Sequence, residues 1–556
     1  MRKMLPAVLV GSFASLVAVS ARAAPEHAVP SDALVASTGV NTHFNFDGTV
    51  YTAQFTQLKA LLLASGLRVV REAYLGDPST LSSQFVPAKN VADLAAAGVH
   101  INFLCDLNSG PPATCAALVK AFNARYPGAV VSVEGPNEPD GFWSRLYPSG
   151  YKGQGYPAGS VAFQKDMYAA LKADAATRDL PVYGIALGLG GQPPCSNANP
   201  LGNAGELAAS VDFGNFHPYP SGNPWHPDFA YDFVPAYYHQ TVFPSALLDP
   251  NPGPGLAGFD DVTCEGRKPY GTRPMVATET GVQTMNAGIP ESHQGALVPR
   301  IVLENFRLGI ARSLIYELAD SGGETFGLLR GDATPRPAYH AMKALLAKLA
   351  DPGATFVPDS LDYDLALSPA TVDAGDASAK FDRLEYVHHL LLQKRSGAFE
   401  LVLWHEIATD ATYPTYVSLA PPAIPAVLTL HRTFGSGSVT TVDDSGMATT
   451  RAVDVHAPIA LAVNERFQIV ELVPASGGDA GADAGHDGDS GAGSADAGGA
   501  SDATSGGAAS PGDSTSGCGC VVTRSDRSPL AALVAAAMAL GATWRRRRRA
   551  QVIYGK

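Results

Sequence analysis

Between residues 38 and about 350, short apolar, β-branched runs alternate with longer Ala- and Leu-rich amphipathic segments, and this alternation constrains the fold more than any other feature. The runs cover 38–44, 67–74, 99–106, 130–138, 181–188, 211–219, 274–281 and 313–320. The segments 53–65, 91–97, 113–126, 161–176 and 297–311 carry apolar residues at helical spacing. Strands alternating with helices call for βαβ units and a parallel sheet. Eight such units predict a closed (β/α)₈ barrel over residues 35–350 rather than an open sheet. Barrel enzymes place their chemistry at the C-terminal ends of the strands. Two long connections leave such ends, 140–160 after the fourth run and 220–273 after the sixth, and both are rich in Gly, Pro and aromatic residues.

The rest of the chain has a different character. Residues 353–473 hold short β-type runs at 386–394, 399–406, 426–431, 439–442 and 467–472 without helical spacing, which predicts a small antiparallel β-sandwich. A short early strand from just before the barrel could join it. Residues 474–517 are almost wholly Gly, Ala, Ser and Asp, with seven Asp and no Lys or Arg, as in a soluble linker. The Asp/Gly spacing also loosely suggests calcium, but a charged spacer is the plainer reading.

The N-terminus reads as a signal peptide over residues 1–23. Arg2 and Lys3 precede an apolar stretch, and Ala21-Arg22-Ala23 forms a small-residue cleavage site. Export permits disulfides. Cys105, Cys115, Cys195 and Cys264 lie in the folded part, and four cysteines allow three pairings. We favour Cys105–Cys115, which closes a short loop, and Cys195–Cys264, which ties two long loops. A zinc site competes, but neither a CxxC pair nor an HExxH supports it. The formal net charge of −13 disfavours a nucleic-acid partner.

Two carboxylates carry the chemistry. The run 130–134 passes into Gly135-Pro136-Asn137-Glu138-Pro139, and prolines end a parallel strand. Asn137 and Glu138 are therefore held at the barrel rim, while Glu134 lies deeper and reads as structural. Pro274-Met275-Val276-Ala277-Thr278-Glu279 ends a second strand in Glu279. These are the fourth and seventh strands, so the two carboxylates can face each other across the rim. That suits glycosidic bond cleavage, with one carboxyl protonated as acid and the other ionised; roughly 5–5.5 Å between them gives retention, and a larger gap gives inversion. Desolvation and mutual repulsion push their pKa values apart and set the roles.

The two segments resemble the acid/base and nucleophile motifs of the clan A glycoside hydrolases, the group that contains families 5 and 39. The resemblance covers residues 38 to about 350. It implies that Glu138 is the acid/base, that Glu279 is the nucleophile of a retaining mechanism, and that Asn137 grips a sugar 2-hydroxyl. It also implies that His217 or Tyr219, at the end of the sixth strand, hydrogen-bonds the nucleophile; the alternative is that the pair buttresses the rim. The eighth strand carries Ser313-Leu314-Ile315-Tyr316-Glu317-Leu318 where many relatives place a Trp, and one of Tyr316 and Glu317 points inward.

Further candidates come from position. Arg71, ending the second strand, could hold the nucleophile ionised or form a structural ion pair. His43 ends the first strand with the same two readings. Trp143 and Trp225 lie in the long loops, where they could stack on sugar faces or pack the loop cores. Glu324 reads as a solvated loop residue or a subsite contact.

Residues 518–556 hold Cys518-Gly519-Cys520, an apolar run over 530–544 and Arg545 to Arg549. They resemble the myxobacterial C-terminal sorting tag, which implies transient membrane association and display at the cell surface. A plain C-terminal anchor is the alternative.

The expected function is therefore a secreted retaining glycosidase acting on a β-linked carbohydrate, with no metal or cofactor. A catalytically decayed carbohydrate-binding surface protein is the competing reading, and the presence of both Glu weighs against it. A metal-dependent barrel hydrolase would need clustered His and Asp at strand ends, such as His-x-His, and these are not found.

Overall fold

The structure, a computed structural model, describes residues 25–140, 147–187, 201, 205–218, 268–284, 289–368, 384, 387–406, 410–411, 417–418 and 421–475. The signal segment, Trp143, Cys195, Tyr219, Trp225, Cys264, nearly all of the Gly/Ala/Ser/Asp linker and the C-terminal segment lie outside the described residues.

All eight expected runs form parallel strands of one sheet: β1 (Thr38–Asn41), β2 (Val69–Glu72), β3 (His100–Leu104), β4 (Val130–Glu134), β5 (Val182–Tyr183), β6 (Gly214–Phe216), β7 (Met275–Thr280) and β8 (Ser313–Ile315). β8 pairs with β1. A single parallel bridge, Tyr183 to Phe213, joins β5 to the run leading into β6 and closes the barrel. The sequence expectation of a (β/α)₈ barrel is thus met. Almost every barrel-strand position is buried, because helices cover the outer face and side chains fill the interior.

The covering helices are α1 (Phe55–Ser65), α2 (Lys89–Ala96), α3 (Pro112–Arg125), α4 (Ala158–Ala173), α5 (Glu291–Arg307) and α6 (Pro337–Leu349). α3 shows why such segments fold. Pro112 sits in its first turn, where no amide donor is missed. Cys115, Leu118, Val119 and Phe122 then form one buried stripe at helical spacing. α1 ends on Gly66 at φ 83°, the left-handed cap that glycine adopts without strain. α6 was not singled out in the sequence.

The β domain has two antiparallel layers. Its strands are β9 (Tyr363–Leu367), β10 (Val387–Gln393), β11 (Phe399–His405), β12 (Ile424–Leu430), β13 (Ser436–Val442), β14 (Ala448–Val453), β15 (Ile459–Val463) and β16 (Gln468–Val473). One layer runs β9-β12-β15; the other runs β10-β11-β16-β13-β14, with Val29–Pro30 added at the β10 edge. β12 and β15 alternate buried and exposed residues, as a sheet with one wet face must. β11 is buried at all seven positions. Its Leu401 and Leu403 enter the sandwich core, whereas Val402 and Trp404 join the barrel's core.

The seam between the domains is ionic as well as apolar. Arg300 of α5 reaches Glu406 at 2.9 Å, with both side chains almost fully buried. Glu304 of α5 meets His388 Nδ1 of β10 at 2.8 Å. α5 is therefore buried on nearly every face from Gln294 to Asn305. Among the described residues, no helix is long and apolar enough to cross a membrane.

Candidate active site

The barrel interior is apolar below and polar toward the C-terminal ends of its strands. Asn41, Arg71, Asn102, Glu134, Asn215 and Thr278 come from six different strands, and all are buried. Buried polar groups must find partners, and these find one another.

Arg71 is the hub. Its Nε and Nη2 donate to the two Glu134 oxygens at 2.9 and 2.7 Å. Its Nη1 donates to Glu279 Oε1 at 2.6 Å and to Asn41 Oδ1 at 2.9 Å, and its Nη2 also donates to Asn137 Oδ1 at 2.7 Å. Arginine only donates, so the carbonyl end of Asn137 must face it. The Asn137 amide NH₂ is thereby turned away from Arg71. Burial works against the Arg71 charge, but Glu134 and Glu279 outweigh it and keep the guanidinium protonated.

Glu134 lies under the site and is fully buried. Besides Arg71 it accepts from Asn102 Nδ2 at 2.7 Å, Thr278 Oγ1 at 2.9 Å and Asn215 Nδ2 at 3.1 Å. Burial pushes its pKa up, but Arg71 more than offsets this and holds it below the ordinary carboxylate range.

Glu138 lies four residues beyond β4. Its amide donates to Ala186 O at 2.9 Å, and Asn137 bridges to Ala186. Glu138 adopts φ 41°, a left-handed conformation that costs a non-glycine residue on the order of 1 kcal/mol. Gly135, just before it, sits against Gln164: a Cβ there would lie 1.8 Å from Gln164 Oε1. The strand end is thus fixed from both sides.

His217 bridges the two candidate carboxylates. Its Nδ1 lies 2.9 Å from Glu138 Oε1 and 3.6 Å from Glu279 Oε2, and its Nε2 lies 3.1 Å from Thr278 Oγ1. The one hydroxyl proton of Thr278 is directed to Glu134 or Asn215, each 2.9 Å away. Thr278 therefore accepts from His217 Nε2–H. Nδ1 then faces two carboxylates, so a proton must sit between it and Glu138. Burial disfavours the imidazolium, yet Glu279 and Glu138 together raise the His217 pKa above its ordinary 6.5. The resemblance implied a contact to the nucleophile, but the nearer partner is Glu138. The reason is positional: Thr278, one residue before Glu279, takes the other ring nitrogen.

The other sequence candidates lie toward β1 and β8. His43 stacks on Phe46 at 4.8 Å, and its Nε2 is 3.5 Å from Glu317 Oε2. Burial and Arg71 lower its pKa to about 4, so its ring is neutral. Glu317 is the inward member of the Tyr316/Glu317 pair and is fully buried. It accepts from the Tyr51 and Ser321 hydroxyls, each at 3.0 Å, and burial raises its pKa well above the ordinary range. Tyr316 is half-buried and donates to Glu324 Oε2 at 3.2 Å. Cys105 and Cys115 form a disulfide that joins the end of β3 to the first turn of α3.

Sequence reasoning missed Asn41, Asn102, Thr278, Tyr51 and Glu72. The last accepts from Thr42 Oγ1 and the Phe44 amide, and so holds the loop that carries His43. A usable signal existed for three of them. Asn41, Asn102 and Thr278 are polar residues inside otherwise apolar strands, which inward-facing barrel positions tolerate only when paired.

Glu138, His217 and Glu279 each bring a donor atom within 4.8 Å of the others, a set that could hold a divalent cation. The Arg71 guanidinium on Glu279 already supplies positive charge there. The geometry suits proton exchange between Glu138 and His217 beside the Arg71–Glu279 contact.

No protein-family model matches the chain, and no curated protein matches it. Solved structures that resemble it include a family 39 glycoside hydrolase from Bacteroides cellulosilyticus WH2, at 15% identity and TM-score 0.47 over 80% of this chain and 82% of that one. A GH39 enzyme from Xanthomonas axonopodis pv. citri follows at 14% identity and TM-score 0.45, over 82% and 98%. A glucosidase from Croceicoccus marinus resembles it at 11% identity and TM-score 0.45, over 75% and 92%.

Proposed function

We propose that this protein is a retaining glycoside hydrolase acting on an O-linked, β-configured carbohydrate. The observation that carries the reading is the facing pair Glu138 and Glu279, with carboxylate oxygens within 4.8 Å across the rim. That separation suits double displacement better than a single displacement through an intervening water.

Each residue then has a task. Glu279 attacks the anomeric carbon while Arg71 holds its carboxylate in place. Glu138 delivers to the leaving oxygen the proton it shares with His217, then takes one from water in the second step. The Asn137 NH₂, turned from Arg71, is free to meet the sugar 2-hydroxyl. The mature protein acts outside the cell, and residues 518–556 direct it to the surface.

The test is hydrolysis of aryl β-glycosides and a polysaccharide panel by wild type, Glu138→Gln and Glu279→Gln, with the anomer of the first product read by NMR. Retention, with loss of activity in both variants, is expected. An inverted product or an active Glu279→Gln refutes the reading.

A further inference from the structure

The buried carboxylate of Glu134 accepts hydrogen bonds from four residues, one on each of strands β2, β3, β6 and β7. Its bidentate grip uses the Nε and Nη2 edge of Arg71. That leaves Nη1 for Glu279, with Asn137 on the outer face of Nη2. Rotation of the guanidinium would break both contacts at once. The charges matter as well. One guanidinium serves two carboxylates, so Glu134 takes up part of the positive charge that Glu279 would otherwise face alone.

We propose that Glu134 is a positioning residue which, through Arg71, sets the aim of Glu279 and Asn137 and limits the positive charge presented to Glu279. The assignment rests on the glycosidase reading for its kinetic consequence but not for its electrostatic one. The charged and titratable groups that bear on the pair are Arg71 from β2, Glu138 beyond β4 and His217 beyond β6, with the Tyr183 and Tyr270 phenols sensing the Glu134 charge.

Glu134→Gln keeps the shape and removes the charge. In that variant all of the Arg71 charge falls on Glu279, which becomes a poorer nucleophile. kcat/KM should fall by roughly tenfold or more. The His217 imidazole, followed by NMR, should lose its proton at lower pH than in wild type, because Glu134 helps to hold that proton. A residue that merely packed the barrel floor would leave the His217 titration in place. Asn102→Ala removes one donor dipole from Glu134 and leaves its charge in place, so it should move the His217 titration slightly the opposite way, to higher pH, and it serves if Glu134→Gln does not fold. If the His217 titration stays put in a folded Glu134→Gln, the proposal is overturned. If wild type cleaves no glycoside, the glycosidase reading fails, and the His217 titration alone decides the role of Glu134.

Discussion

Replacing Arg71 by Met is the sharpest perturbation of the site, because it keeps the aliphatic stem and removes the one cation that five hydrogen bonds share. Breaking a buried ion pair from one side costs about 3–5 kcal/mol, most of it the penalty of the charge left behind. Glu134 keeps donors from Asn102, Asn215 and Thr278, so its charge is not bare and the lower end, about 3 kcal/mol, applies. The pH dependence has a definite sign. In wild type the Glu134 pKa is depressed, so its contribution is present above the ordinary carboxylate range and lost as pH falls through the folded value. In the variant, burial is opposed only by the remaining donors and by His217, and it raises that pKa instead. A protonated Glu134 needs no cation, so the deficit against wild type should be largest near neutral pH and should shrink on acidification. Urea unfolding followed by tryptophan fluorescence at about pH 7 and about pH 5 measures it. A deficit that is flat or grows at the lower pH, or one below about 1 kcal/mol, refutes the account of a shared cation.

Three further outcomes are expected. His217 has a raised pKa and shares its proton with Glu138, so kcat/KM should fall as pH rises through that value, and His217→Phe should move this basic limb; an unmoved limb separates His217 from the acid. Cys105→Ser with Cys115→Ser opens a loop of sequence separation 10, and the chain-entropy estimate for such a loop is a loss of about 2.7 kcal/mol, read as a lower urea midpoint with unchanged kcat. Arg300→Met leaves Glu406 buried against α5 without its cation and should cost about 3 kcal/mol, with separate unfolding of barrel and β domain seen by calorimetry.

Strand identity was legible because a buried parallel strand is an apolar run with few alternatives, and all eight runs were found. Strand extent was less so: the fifth run was read over 181–188, whereas β5 covers Val182–Tyr183. Glu138 and Glu279 could be picked out because prolines and strand ends mark the rim. The network beneath them could not. Arg71 and Glu279 are 208 positions apart, and Thr278 and Glu134 are 144 apart. No local pattern says which inward residues meet once the barrel closes. Tyr316 and Glu317 could be placed at the end of the eighth strand, but only the packed structure decides that Glu317 turns inward to Tyr51.

Residues 26–30 lie before the barrel in sequence but are built into the domain after it. Glu26–His27 pair with Leu361 and Ser360, and Val29–Pro30 pair with Leu392 and Gln393. The His27 contact to Ser360 spans 333 positions, and closing a flexible loop of that length costs about 5 kcal/mol in chain entropy. The assembled barrel removes most of that cost by bringing its own two ends together. The first described segment to leave a ribosome is therefore among the last to find its partners. The β domain works as a clasp that closes behind the finished barrel, and a bulky fusion placed close to residue 25 would strain the clasp before it disturbed the site.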